Sequence, residues 1–144
     1  TRYWRDWSSD VCSSDLLAIN IAERAAYLSK HEPLGVPLDF HRMAELAREM
    51  VQESLNSLIQ LDTNLARKVL ATDDEVDDIN KQMFQVLENI MLKEPATIRR
   101  AIHLLSASRH LERIADLATN IAEDVVFLVE GEVIRHLPED YNRT

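Results

Sequence analysis

From Leu17 onward, apolar residues recur at helical steps of three and four. Leu17–Lys30 reads as the end of a helix whose beginning is missing, and His31–Pro37, with Pro33, Gly35 and Pro37, is a breaker segment. From Leu38 to about Ala71 the positions Met43, Ala47, Met50, Ser54, Leu58, Leu65 and Val69 form one amphipathic stripe, interrupted by Asp62. Thr72 followed by Asp73-Asp74-Glu75 has the form of a turn and helix start, a capping hydroxyl followed by acids that suit the positive end of the helix dipole. A further helix carries Val76, Ile79, Met83, Val86 and Ile90 and ends near Lys93-Glu94. Pro95 suits the first turn of a last helix, which runs to about Glu130 and stops at Gly131, with His136-Leu137-Pro138 beyond. Its stripe is Leu104, Leu111, Ile114, Ala118, Ile121, Val125 and Leu128. Three such stripes joined by short turns bury one another, so the expected fold is all-α: an antiparallel three-helix bundle over residues 38–137. Residues 17–37 are then the orphan helix end of a preceding bundle with its linker, and 138–144 a tail.

Thr1–Leu16 breaks this pattern abruptly. TRYWRDWSSDVCSSDL has neither helical nor strand period and resembles the translation of a sequencing-library adapter joined in frame, so it is set aside as non-native. Trp4, Trp7 and the single cysteine, Cys12, all lie in it, which leaves the rest of the chain without thiol or disulfide chemistry.

Charge narrows the function classes. The chain has 16 basic and 25 acidic residues, a net of −9. Without Arg2, Arg5, Asp6, Asp10 and Asp15 the balance is 14 against 22. An acidic chain argues against sequence-independent nucleic-acid binding, which needs a basic face. It suits cations or a basic partner surface. No apolar run approaches the roughly 20 residues of a membrane span, and an intracellular location is the default expectation.

The sequence also repeats. Setting LAINIAERAAYL (Leu17–Leu28) under LATNIAEDVVFL (Leu117–Leu128) matches seven of twelve positions, where unrelated segments would match at about one. The match stops at Leu16, opposite Asp116, as expected if the protein were built from two similar halves and the adapter-like segment had replaced most of the first.

The candidate chemistry lies on the last helix. Glu112, Asp116, Asn120 and Glu123 stand at i, i+4, i+8 and i+11, within about 80° of one another on a helical wheel. They form an oxygen-rich strip beside the apolar stripe. Asp73 and Asp77 make a second acidic i, i+4 pair on the preceding helix, and antiparallel packing would let both face one site. Like charges at this spacing repel and invite a cation, and such ligands suit hard or oxygen-tolerant metals. A solvated acidic face is the alternative that spacing alone leaves open.

The run from Asp62 to His136 resembles the second half of the PhoU family, accessory regulators of bacterial phosphate-specific transport. The residues that carry the resemblance are Asp62, Ala66 and Val69; Asp73-x-x-Val76-Asp77; Arg109-x-Leu111-Glu112-Arg113-Ile114-x-Asp116; Asn120-Ile121 and Glu123; and Gly131 with Arg135-His136. Leu17–Leu28 resembles the end of the equivalent motif in the first half. The resemblance implies two similar three-helix bundles in a cytoplasmic, often dimeric protein. It would damp phosphate-starvation signalling between the ATPase subunit of a phosphate ABC importer and a phosphate-sensing histidine kinase, meeting the membrane only through those partners. It also implies metal clusters on E/D-x-x-x-D strips. Glu112 and Asp116 are then the leading ligands, Asp73 and Asp77 the next, with Asn120 and Glu123 in support, for an ion such as iron, zinc or manganese. Two departures stand out: Ala115 replaces a usual glycine, and of the first-half motif only Asn20 and Glu23 remain.

Arg109 and Arg113 read as intrahelical partners of Glu112 and Asp116 rather than phosphate ligands. Asp62 reads as a helix-to-helix polar contact, and Met43, Met50, Met83 and Met91 as bundle packing. His31, His41, His103, His110 and His136 show neither E-x-x-H nor H-x-x-x-H spacing, which argues against a ferritin-like di-iron site or a zincin. The reading is a regulatory adaptor, not an enzyme; the alternatives are an oxygen-ligand helical-bundle metalloprotein and a purely structural interaction bundle.

Overall fold

A computed structural model describes the backbone of residues 3–131 and the side chains of residues 16–131. Arg135, His136 and the expected 138–144 tail lie outside the described residues. Among the described residues four helices follow one another: α1 (Tyr3–Leu28), α2 (Phe40–Gln60), α3 (Thr63–Lys93) and α4 (Ile98–Glu130), with a 3-10 turn at Pro95–Thr97 before α4. There is no strand among the described residues, so the all-α expectation holds.

The helix starts depart from the expected ones. α1 begins at Tyr3 and crosses the Leu16/Leu17 junction without a break, so the missing period did not prevent a helical backbone over Tyr3–Leu16. That stretch contains neither Gly nor Pro, and once Leu17–Leu28 is helical, elongation costs far less than nucleation.

The expected single helix from Leu38 to Ala71 is two. α2 ends at Gln60; Leu61 takes the left-handed conformation (φ 52°), and Asp62 caps α3 by accepting from the backbone N–H of Asn64 (2.9 Å) and Leu65 (3.1 Å). Asp62 is therefore a helix cap and not a helix-to-helix contact. Thr72, the expected cap, lies inside α3, where its hydroxyl donates back to Lys68 O (3.0 Å). Asp73 and Asp74 are interior residues of a 31-residue helix. Gly131 ends α4 as expected, at φ 73°.

The buried face of α4 also differs from the expected stripe. It is built from Ala101, Ala107, Leu111, Ala115, Ala118, Ala122, Val125 and Val126, while Leu128 is 64 % exposed. On α3, Leu87 is fully buried and Val86 and Ile90 only partly. The reason is that α4 packs against each of the other three helices, α1 touching α4 alone among the described residues. A helix surrounded in this way needs small side chains on its contact faces, because the separation of two helix axes is set by the residues between them. Met43, Met50, Val69 and Val76 fill the remaining core. α3 and α4 run antiparallel, with Arg67 of α3 paired to Glu130 (2.6 Å) at one end and Asn80 opposite Glu112 further along.

α1 docks on α4 through Leu17, which is buried, and Ile21, which packs against the core. Tyr27 is sandwiched between His31 and His103, ring centroids 4.4 and 3.8 Å apart. Arg100 of α4 donates to the carbonyl of Glu32 (2.7 Å) in the linker.

Because Asp62 satisfies two backbone donors, Asp62→Ala should cost about 1 kcal/mol in urea unfolding and Asp62→Asn much less. Thr72→Ala should be close to neutral, whereas the reverse ranking would mean that α3 starts at Thr72.

Candidate functional site

The antiparallel pairing of α3 and α4 brings Asp73 and Asp77 of the one helix to Glu112 and Asp116 of the other. Burial is the largest influence on the Asp73 carboxyl, followed by the charges of Asp77, Asp116, Asp74 and Glu112, and together they push its pKa up to about 7. Glu112 is raised by burial, then by Asp116 and Asp77, and is held down by Arg109 and by a hydrogen bond from Asn80 Nδ2 to Oε2 (2.9 Å). Asp116 is raised by burial and Asp77 and lowered by Arg113. Burial and neighbouring carboxylates thus make Asp73, Glu112 and Asp116 harder to ionise.

Asn120 and Glu123 stand further along α4, Asn120 exposed and Glu123 half-buried, and the charges acting on Asp116 are those of Asp77 and Arg113. Arg109 and Arg113 act on Glu112 and Asp116 through space, with no closed ion pair or hydrogen bond between them among the described residues, so the expected intrahelical pairs do not form. Ala115, where a glycine is usual in the resembling family, is fully buried in the core cluster, so its methyl group is accommodated at the helix contact.

Beside the acids runs a groove of about 760 Å³, lined by Asn80, Phe84, Ile102, Arg109, Glu112 and Asp116 among others. Phe84 and Ile102 are more than half exposed. Asn80 is the site residue that sequence reasoning missed, although Asp73, Asp77 and Asn80 at i, i+4 and i+7 share one face of α3. Among the described residues no group of three His, Cys, Asp or Glu side chains converges closely enough to hold a metal ion. The donors themselves suit one in chemistry and charge. Asp73, Glu112 and Asp116 are each raised in part by neighbouring carboxylates, and a cation would relieve that repulsion.

The stability of the fold should record the same repulsion. Asp73 has a folded pKa of about 7 against an ordinary 3.8. Below pH ~4 both folded and unfolded chains hold its proton. Between there and pH ~7 the unfolded chain ionises first, and this group's contribution to stability falls as pH rises. Above pH ~7 the penalty is constant. Asp73→Asn should therefore flatten the fall and stabilise the protein above pH ~7 by about 1 kcal/mol, solvent screening keeping the gain below the full value of the shift. Urea unfolding across that range checks this; a variant less stable than the parent at high pH would show that the Asp73 charge is favourable.

Comparison with known proteins places this geometry. Residues 40–125 match the model of the PhoU domain. The chain is similar to phosphate-specific transport system accessory protein PhoU homologs: 45 % identical over 119 residues to that of Aquifex aeolicus, covering 83 % of this chain and 54 % of that protein. It is 36 % identical over 115 residues to that of Xylella fastidiosa strain 9a5c, covering 80 % of this chain and 49 % of that protein. The homolog of Pseudomonas aeruginosa is 35 % identical over 122 residues, 83 % of this chain and 50 % of that protein. The chain spans about half the length of the curated relatives it matches. The matched region contains α3, the acidic residues of both helices and most of α4, so that on fold and sequence together this chain belongs to the PhoU family.

Proposed function

We propose that this chain acts as a regulatory adaptor of phosphate uptake and phosphate-starvation signalling. The observation that carries this is the family match over residues 40–125, which takes in all six candidate metal-binding residues from Asp73 to Glu123, together with relatives whose names describe accessory proteins of a phosphate-specific transport system. Its partners in this reading are the ATPase subunit of a phosphate ABC importer and a phosphate-sensing histidine kinase, and it works in the cytoplasm as a homodimer and as a negative regulator. No described helix is long and apolar enough to cross a membrane, in keeping with contact to the membrane through partners. The groove supports docking: Phe84 and Ile102 offer exposed apolar area beside charges of both signs, the mixture from which specific protein interfaces are built.

The acidic cluster is proposed to bind a divalent or trivalent metal such as iron, zinc or manganese. Glu112 and Asp116 are the primary donors, Asp77 and Asp73 reach in from α3, and Asn120 and Glu123 lie on the flank. The ion's role would be to cancel repulsion across the α3–α4 seam and so favour one surface for partners. Catalysis forms no part of this reading.

Metal content after exposure to iron, zinc or manganese should fall in a Glu112→Ala, Asp116→Ala double variant while helicity is retained, since neither residue is fully buried. Equal metal content in parent and variant would make the strip a solvated face. The adaptor reading is tested by capture on the purified ATPase subunit and on the cytoplasmic part of the kinase. Retention of the folded chain by neither would sink it.

A further inference from the structure

The apolar stripe of α1, Leu17, Ile21 and Leu28, contains a charge: Arg24 stands at i+3 from Ile21, where the stripe would otherwise continue. Within the internal repeat, Asn20-Ile21-Ala22-Glu23 matches Asn120-Ile121-Ala122-Glu123, and the next residue is Arg24 in the first copy and Asp124 in the second. A charge is thus reversed inside a matching motif, on the face that packs on α4.

Arg24 has no hydrogen bond or ion pair among the described residues, and its Nε is withdrawn from solvent. Nδ1 of His110 on α4 is also withdrawn and unpartnered, and these are the two such side-chain atoms among the described residues. The stack of Tyr27 on His103 and the bond from Arg100 to Glu32 set α1 antiparallel to α4, which brings Arg24, about one turn before Tyr27, level with Ser106 and within a turn of His110. Besides burial, the Arg24 charge lowers the pKa of both His103 and His110, and Arg113 adds to the effect at His110. His103, Ser106, His110 and Arg113 stand at i, i+3, i+7 and i+10, one face of α4. The stacking of His103 on Tyr27 fixes that face toward α1. Glu112 lies on another face of α4, toward Asn80 of α3. In a chain of net charge −9, the α1–α4 seam therefore concentrates positive charge and unused donors.

We propose that this seam binds a small tetrahedral oxyanion of the phosphate or sulfate kind. The Arg24 guanidinium and the His110 Nδ1–H donate to it, and Arg113 adds charge. The Ser106 hydroxyl faces Nε2 of His110 at 3.4 Å; in the tautomer that this site uses, the hydroxyl donates to Nε2 and the proton stands on Nδ1, so the neutral ring is a donor. A guanidinium is suited to such an anion because its fixed fork of N–H groups matches two oxygens at once. Ser106 and Arg113 also line the acidic groove, so the two sites adjoin along α4, but this one does not depend on the adaptor reading.

The test is to titrate the isotope-labelled full chain with inorganic phosphate, sulfate and acetate at constant ionic strength, with chloride as reference. Phosphate or sulfate should move the Arg24 Nε–H resonance and the backbone amides of residues 103–113 saturably. In Arg24→Gln the amide shifts should need about tenfold more anion, and in Arg24→Lys, which keeps the charge, an intermediate amount. Dispersed amide spectra report that each variant is folded. Shifts that do not saturate, or the same half-saturation in parent and Arg24→Gln, would overturn the site, since solvent would then satisfy the two nitrogens. Acetate binding as tightly as phosphate and sulfate would overturn the tetrahedral assignment.

Discussion

The structure depends on how closely three helices can approach a fourth. α4 offers alanine at 101, 107, 115, 118 and 122, all buried, and every other helix packs on it. Small side chains shorten the distance between axes, and the bundle then gains from many weak contacts rather than from a few large apolar groups. The larger volumes are supplied from outside, by Met43 and Met50 on α2 and by Val69, Val76 and Leu87 on α3. Any larger residue on the alanine face would push a neighbouring helix outward.

Both polar sites follow from that proximity. Drawing α3 onto α4 sets Asp73 and Asp77 against Glu112 and Asp116, and the partial burial of Asp73 and Glu112 makes the repulsion costlier than it would be on an open surface. Drawing α1 onto another face of the same helix traps Arg24 beside His103 and His110. One helix therefore separates an acidic seam from a basic one, and Arg113 acts on both, lowering the pKa of Asp116 on one side and of His110 on the other.

The parts legible in the sequence were those that a single helix can specify. The spacing of Glu112 and Asp116, the pair Asp73 and Asp77, the glycine stop at Gly131 and the all-helical class each rest on local periodicity or on one backbone conformation. Failures arose where several elements decide together. Leu58 and Leu65 are seven apart and continue one stripe on paper, yet Leu61 reverses the chain between them. Thr72 with its following acids looks like a helix start, and so does Asp62. Only the left-handed residue before Asp62 separates the two, and a leucine gives little warning of it. On α4, ranking by hydrophobicity favoured Leu128 and Ile121 over Ala115 and Ala122, whereas crowding from three sides selects the smaller residues. Arg24 could not be singled out, because its burial exists only once α1 lies on α4.

The connections at either end of α3 are short: Leu61 and Asp62 before it, Glu94 and the turn at Pro95–Thr97 after it. Neither leaves slack for α3 to slide along α4. One residue added to or removed from a helix turns everything beyond it by about 100°, enough to carry Asp77 away from Glu112 and Asp116. The groove can thus absorb exchanges of side chain at Phe84 or Ile102 as its partners diverge, while the lengths of these two joints are under a much tighter rule. In this bundle insertions and deletions, more than substitutions, are the changes that would erase the site.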